Sequence, residues 1–80
     1  MMKTMTCHQL GGPCEVAHHG AEHNEIIKAQ DRHLRAAVES GSPEHEPALA
    51  EMKARWRHPI SGLKWYRSIQ RKFADLPEEG

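Results

Sequence analysis

Eighty residues, 38% of them hydrophobic, leave room for one domain spanning 1–80 and exclude a two-domain enzyme. Eleven basic side chains balance eleven acidic ones, so the molecule as a whole has no field that would draw in nucleic acid or a membrane surface. All four aromatics, Trp56, Trp65, Tyr66 and Phe73, stand in the C-terminal half, and scaffolds this small usually supplement their core with a metal, a disulfide or a second copy of themselves.

In chain order, Lys3 to Cys7 and Glu15 to His19 flank the glycine-bearing stretch His8-Gln9-Leu10-Gly11-Gly12-Pro13, which predicts a β-hairpin or two extended arms around a tight loop. Over 22–40 the pattern turns helical. Ile26, Ile27, Gln30, His33, Leu34, Ala37 and Val38 fall on one side, with Lys28, Asp31, Arg32, Arg35 and Glu39 opposite. Ser40-Gly41-Ser42-Pro43 should end that helix. The next helix has two candidate starts, Ser42 as cap with Pro43 following, or Pro47 in the first turn, and Pro47 favours the later one. Leu49, Met52 and Trp56 form its apolar stripe, and Pro59 closes it. A third helix, capped by His58 or Ser61, should run to Leu76, with Trp65, Tyr66, Ile69, Phe73 and Leu76 on one face. The fold expected is therefore mainly α: Cys-bearing arms (1–21) packed on helix one (22–40), then a helical hairpin (43–76).

Seven histidines and two cysteines invite a metal reading, although C-x6-C is not the C-x2–4-C of a zinc finger. Chain lengths sharpen it. From Cys14 the second arm runs outward for ~17 to 20 Å at ~3.3 Å per residue. The helix from Glu22 returns at ~1.5 Å per residue, so His33, on its apolar face, arrives level with Cys14. Cys7, Cys14 and His33 can then meet, and Zn²⁺ favours thiolate and imidazole in a tetrahedron. The fourth ligand falls to His8 in the loop, or to His19 if the second arm bends. His18, His45 and His58 read as solvated or capping residues, and His23, ten residues from His33, is ~15 Å away along the helix. Two other readings of the cysteines stay open: metal-free packing against a buried histidine, and a Cys7–Cys14 disulfide or redox switch.

From Met52 to Ala74 there are seven basic residues and no acid, whereas Met1 to Glu51 holds four basic and eight acidic. Interleaved with Trp56, Trp65 and Tyr66, the basic helices could serve as a nucleic-acid-binding adaptor. Burial of the aromatics in the core or between subunits is the stronger reading, and it implies a homo-oligomer, dimer or higher, built through Trp56, Trp65, Tyr66 and Phe73. No phosphate loop, G-x-S-x-G elbow or H-E-x-x-H pair occurs, and no catalytic residue is assigned. A thiol enzyme or redox sensor using Cys7 or Cys14, with His33 lowering a thiol pKa, is the rival. No apolar run suited to a signal peptide or to a span of ~20 residues is present, so a cytoplasmic protein is expected, whose cysteines are reduced or metal-bound.

The stretch Met5-Thr6-Cys7-His8-Gln9-Leu10-Gly11-Gly12-Pro13-Cys14, the acidic helix start and the late His33 resemble a family of small bacterial and archaeal proteins catalogued as a domain of unknown function. The likeness extends past Pro59 to Phe73-Ala74-Asp75-Leu76-Pro77-Glu78. It implies a compact, mostly helical cytoplasmic protein with Cys7, Gly11, Cys14 and His33 as motif positions, and it matches His19 to a histidine of some members. No activity follows from it.

Overall fold

The structure, a computed structural model, describes residues 2–78. A two-stranded antiparallel hairpin, β1 (Lys3–Thr6) and β2 (Ala17–Gly20), precedes three helices, α1 (His23–Glu39), α2 (Glu46–Arg57) and α3 (Pro59–Asp75). The architecture is mainly α, as the sequence predicts, and each helix lies within about two residues of its expected span. Both candidate starts for the middle segment are used in succession. Ser42 and Pro43 open a 3-10 turn, Pro43–His45, and α2 follows with Pro47 in its first turn.

Period-two alternation fixes the hairpin register. Met5 pairs with His18, and both are buried, whereas Thr4 pairs with His19 on the outer face, Oγ1 to Nδ1 2.8 Å. Beyond β1 the Cys7 N–H still donates to the Val16 carbonyl, and the chain then folds into a 3-10 turn, His8–Leu10, that ends at Gly11 with φ 98°. That positive φ is one glycine alone adopts cheaply. Thr6 and Gln9 lock the turn reciprocally: the Thr6 N–H donates to Gln9 Oε1 and the Gln9 N–H to Thr6 Oγ1, the logic of a capping box. Gly41, φ 92°, ends α1, and the Ser42 N–H returns to the Ala37 carbonyl.

The core has two parts. One gathers Met5, Leu10, Ile26, Ile27, Ile69 and Phe73, with Trp65, Tyr66 and Leu76 against its edge. The other gathers Cys7, Leu34, Ala48, Leu49 and Met52, with Cys14, Val38 and Trp65 beside it. Trp65 touches both, and its ring carries the Arg55 guanidinium 4.1 Å from its centroid, a cation–π contact. Strand β1 is tied to the far end of α3 by Lys3, whose Nζ donates to the Phe73 and Ala74 carbonyls at 2.9 and 3.2 Å. A cation belongs there, where helix carbonyls lack partners. Tyr66 joins α3 to the start of α1, donating to Asn24 Oδ1 and accepting from His23 Nε2.

Of the aromatics expected at a subunit interface, Phe73 is buried within this chain and Trp65 and Tyr66 are half-buried against its core. Trp56 departs from the expected burial of its stripe. Leu49 and Met52 are covered, but Trp56, in the last turn of α2, is 61% exposed beside a groove of about 340 Å³ between α2 and α3. Among the described residues no helix is long and apolar enough to cross a membrane.

The α2–α3 elbow turns on one residue, His58, and brings the helices together at Gly62, where an added Cβ would stand 2.3 Å from the Arg55 carbonyl oxygen. Glycine to alanine inside a helix ordinarily gains about 1 kcal/mol. Here the sign should reverse: Gly62→Ala should destabilise by ~1 to 3 kcal/mol or more, read as a lower denaturation midpoint in urea.

Candidate metal centre

The outgoing strand and the returning helix meet as their lengths require. Cys7 lies where β1 passes into its turn, Cys14 lies just before β2, and His33 lies on α1 between the buried Gln30 and Leu34. Cys14 Sγ is 3.2 Å from His33 Nε2. The fourth member of the group is His45, the last residue of the turn before α2, and one ligand atom from each of Cys7, Cys14, His33 and His45 lies within 4.8 Å of all the others. A tetrahedral ion with bonds of ~2.0 to 2.3 Å has donor–donor edges of about 3.3 to 3.8 Å. The Cys14–His33 distance of 3.2 Å stands at the short end of that range, and no separation in the group exceeds 4.8 Å, about 1 Å beyond its long end. This cluster can hold a metal ion.

The fourth position corrects the sequence expectation. His8 is exposed and lies 3.7 Å from the Glu15 carboxylate. His19 alternates with the inward-facing His18, so it points away from α1 and bonds Thr4. Neither belongs to the group. His45 was legible in one respect: at i, i+4 and i+7 it extends the stripe of Leu49 and Met52, so it enters the same core as Cys7.

Two of the donors, His45 and Cys7, are held from behind. Ser42 Oγ is 2.8 Å from His45 Nδ1, and His45 Nε2 is buried with no hydrogen-bond partner. A proton on Nδ1, donated to Ser42, leaves the Nε2 lone pair as the ligating one. A buried imidazole nitrogen without a partner costs free energy, and a metal bond would satisfy it. Cys7 is fully buried. Its carbonyl accepts from the Leu10 and Gly12 N–H groups, and its sulfur accepts from Gln30 Nε2 at 3.3 Å. Gln30 Oε1 in turn accepts from His18 Nε2 at 2.7 Å. The buried pair His18 and Gln30 therefore orients an N–H toward sulfur.

The rings of His18 and His45 stand 5.6 and 5.1 Å from that of His33. Burial lowers the pKa of His33 below its ordinary 6.5, and His45 and His18 lower it further, so the imidazole keeps its lone pair at neutral pH. Burial pushes the Cys14 thiol up, offset in part by the Val16 backbone, with Cys7 and Glu15 raising it again. Thiol enzymes and redox sensors ordinarily carry a depressed thiol, and the shift at Cys14 runs the other way. Both cysteines are free thiols.

Comparison with protein-family models, curated proteins and solved structures finds no match.

Two outcomes follow. Gly12 is buried against Cys7, and a Cβ there would lie 2.2 Å from Cys7 Sγ. Gly12→Ala should displace the sulfur, destabilise by ~1 to 3 kcal/mol and weaken Co²⁺ uptake in a titration. Second, because the folded pKa of His33 lies below 6.5, the unfolded chain binds more protons between those two values, and stability there rises with pH. The metal-free chain should hold its full His33 contribution above about pH 6.5 and lose it progressively on acidification. His33→Gln should flatten that slope in thermal melts taken across pH.

Proposed function

We propose that this chain is a small zinc protein in which Cys7, Cys14, His33 and His45 hold one structural Zn²⁺. The observation that carries the reading is His45, a buried imidazole whose outer nitrogen is anchored by Ser42 while the inner one has no partner beside two cysteines and a second imidazole. Two thiolates and two imidazoles are a borderline-soft donor set that suits zinc better than magnesium or calcium. Four protein donors complete a tetrahedron and leave no position for water or substrate, which is the arrangement of a structural site and not of a hydrolytic one. When bound, the ion supplies folding free energy, on the order of 10 kcal/mol in zinc-finger peptides, comparable with the whole stability of a small domain, ~5 to 15 kcal/mol.

The chain's own residues define what is stabilised. Cys7 and Cys14 belong to the two ends of the hairpin loop, His33 to α1 and His45 to the entry of α2. Holding all four together fixes the hairpin to the α1–α2 corner. This part of the core has Trp65 beside it as its one aromatic neighbour, whereas Phe73 and Tyr66 pack in the other part. The reduced thiols the site needs suit the cytoplasmic setting expected from cysteine usage.

Protein purified from zinc-supplemented cells should contain about one zinc per chain by elemental analysis, and chelation should lower its melting temperature sharply. Co²⁺ exchange should give the intense visible bands of a tetrahedral thiolate site. His45→Ala should abolish those bands, whereas His8→Ala and His19→Ala should keep them. Ser42→Ala and Gln30→Leu should weaken affinity by about 10- to 100-fold. A chain that folds fully with no zinc bound, or that loses zinc on removal of His8 or His19 but not of His45, would refute the assignment.

A further inference from the structure

The four members of the cysteine–histidine cluster are unequally covered. Cys7 and His45 are buried, whereas Cys14 and His33 are half-buried. A small solute therefore meets the cluster along its Cys14–His33 edge, and of the two sulfurs it meets Cys14 first. Cys7 has no exposed surface, and Gly12 packs against its sulfur.

The two sulfurs are also neighbours. They stand within 4.8 Å of each other at the two ends of one loop, and the Cys7 thiol is among the groups that raise the Cys14 thiol. An S–S bond is ~2 Å long, so the gap to close is under ~3 Å. Cys7 is fixed by Gly12 and by the Gln30 amide. Cys14 lies in the bend before β2, outside any helix or strand, so it is the sulfur with room to move. An accessible thiol with a covered partner at this range is the arrangement of an attacked and a resolving cysteine. Free of metal, the raised Cys14 thiol is a poor nucleophile, whereas coordination to a metal ion deprotonates a thiol outright.

We infer that Cys14 is an oxidation site for hydroperoxides, with Cys7 as its resolving thiol, and that joining the two sulfurs releases the metal. The Cys14 thiolate attacks one oxygen of hydrogen peroxide. An S–O bond forms, the O–O bond breaks, and the departing hydroxide takes a proton to become water; the sulfur is oxidised to a sulfenic acid and the peroxide is reduced. The Cys7 thiolate then attacks the Cys14 sulfur. An S–S bond forms, the S–O bond breaks, and a second hydroxide leaves and is protonated. In sum two thiolates, one hydrogen peroxide and two protons give a disulfide and two waters, while Zn²⁺, which has no redox chemistry, keeps its charge. His33 and His45 are left as two donors where there were four, too few to hold the ion. A thiol reductant reverses the disulfide by exchange. This inference rests on the zinc assignment, which supplies both the thiolates and the ion released.

The full-length, zinc-loaded chain, its zinc content measured first, should respond to a small excess of hydrogen peroxide by releasing about one zinc to a chromogenic chelator for each Cys7–Cys14 disulfide formed. The disulfide reads as a mass lower by ~2 Da and as a linked peptide pair, and dithiothreitol with added zinc should restore the starting mass and zinc content. Dimedone present during oxidation of the unmutated chain should label Cys14 and not Cys7. Cys7→Ser should keep that label and form no intramolecular disulfide, and Cys14→Ser should slow sulfenic acid formation by about tenfold or more. Zinc retained through oxidation, a dimedone label on Cys7, or oxidation of Cys14 past the sulfenic acid with no disulfide overturns the proposal and leaves the zinc assignment standing. A chain without zinc at the outset overturns both.

Discussion

A buried cysteine that three backbone segments converge on sets the terms for the rest of this molecule. Cys7 has no exposed surface. Its carbonyl is held by the Leu10 and Gly12 N–H groups, its sulfur receives the Gln30 amide, and Gly12 packs so close that no side chain is tolerated beside it. Fixing that sulfur fixes the loop, and the loop fixes where Cys14 starts the second strand. The strand and α1 then cover matching distances in opposite directions, which is why an imidazole nineteen residues after Cys14 ends up 3.2 Å from its sulfur. The site is a consequence of chain lengths and one immobile turn, not of a local ligand motif.

That origin explains what could be seen in the sequence. Helix α1 was legible because Ile26, Ile27, Gln30 and Leu34 repeat at the helical period and Gly41 stops it. Cys7, Cys14 and His33 were legible because strand rise and helix rise are constants. His45 is legible only as the first position of the Leu49–Met52 stripe, because its approach to the cysteines depends on the angle between α1 and α2, a tertiary quantity set in the core that Leu34, Leu49 and Met52 share. His8 and His19 looked nearer in sequence, but β alternation sends His19 to the outer face. Trp56 misled in the opposite sense, since a stripe shows which side of a helix is apolar and not how far along it a neighbouring element continues.

The division of the core into two parts gives the cysteine–histidine cluster its place in the energetics. The part around Ile26, Ile69 and Phe73 is built from large aliphatic and aromatic side chains drawn from both ends of the chain, and Lys3 closes it by binding the end of α3. The part around Cys7 buries Leu34, Leu49 and Met52 as its large aliphatic groups, with Ala48 and Cys7 filling the remainder and Cys14, Val38 and Trp65 half-buried at its edge. At ~25 cal/mol per Å² of apolar area buried, small side chains contribute little against the entropy of ordering a loop. This weaker half is where the two histidines and two thiols lie, and where the buried nitrogen of His45 stands without a partner. A metal-free core would favour an apolar residue at that position, because a lone buried polar atom is a net cost.

Trp65 connects this corner to the elbow. It touches both parts of the core and floors the groove beside Trp56, and Arg55 lies over its ring. The close approach at Gly62 holds α2 and α3 at the angle that opens the groove. Positions in α2 consequently serve two surfaces. Ala48, Leu49 and Met52 face the cysteine–histidine corner, and Glu46, Ala50, Lys53 and Arg57 face outward. Trp56 shares the side of α2 that Leu49 and Met52 occupy, one turn beyond Met52. Its exposure follows from its place along the helix and not around it: Leu49 and Met52 are covered, whereas Trp56 stands in the last turn, where the chain leaves α2 at His58.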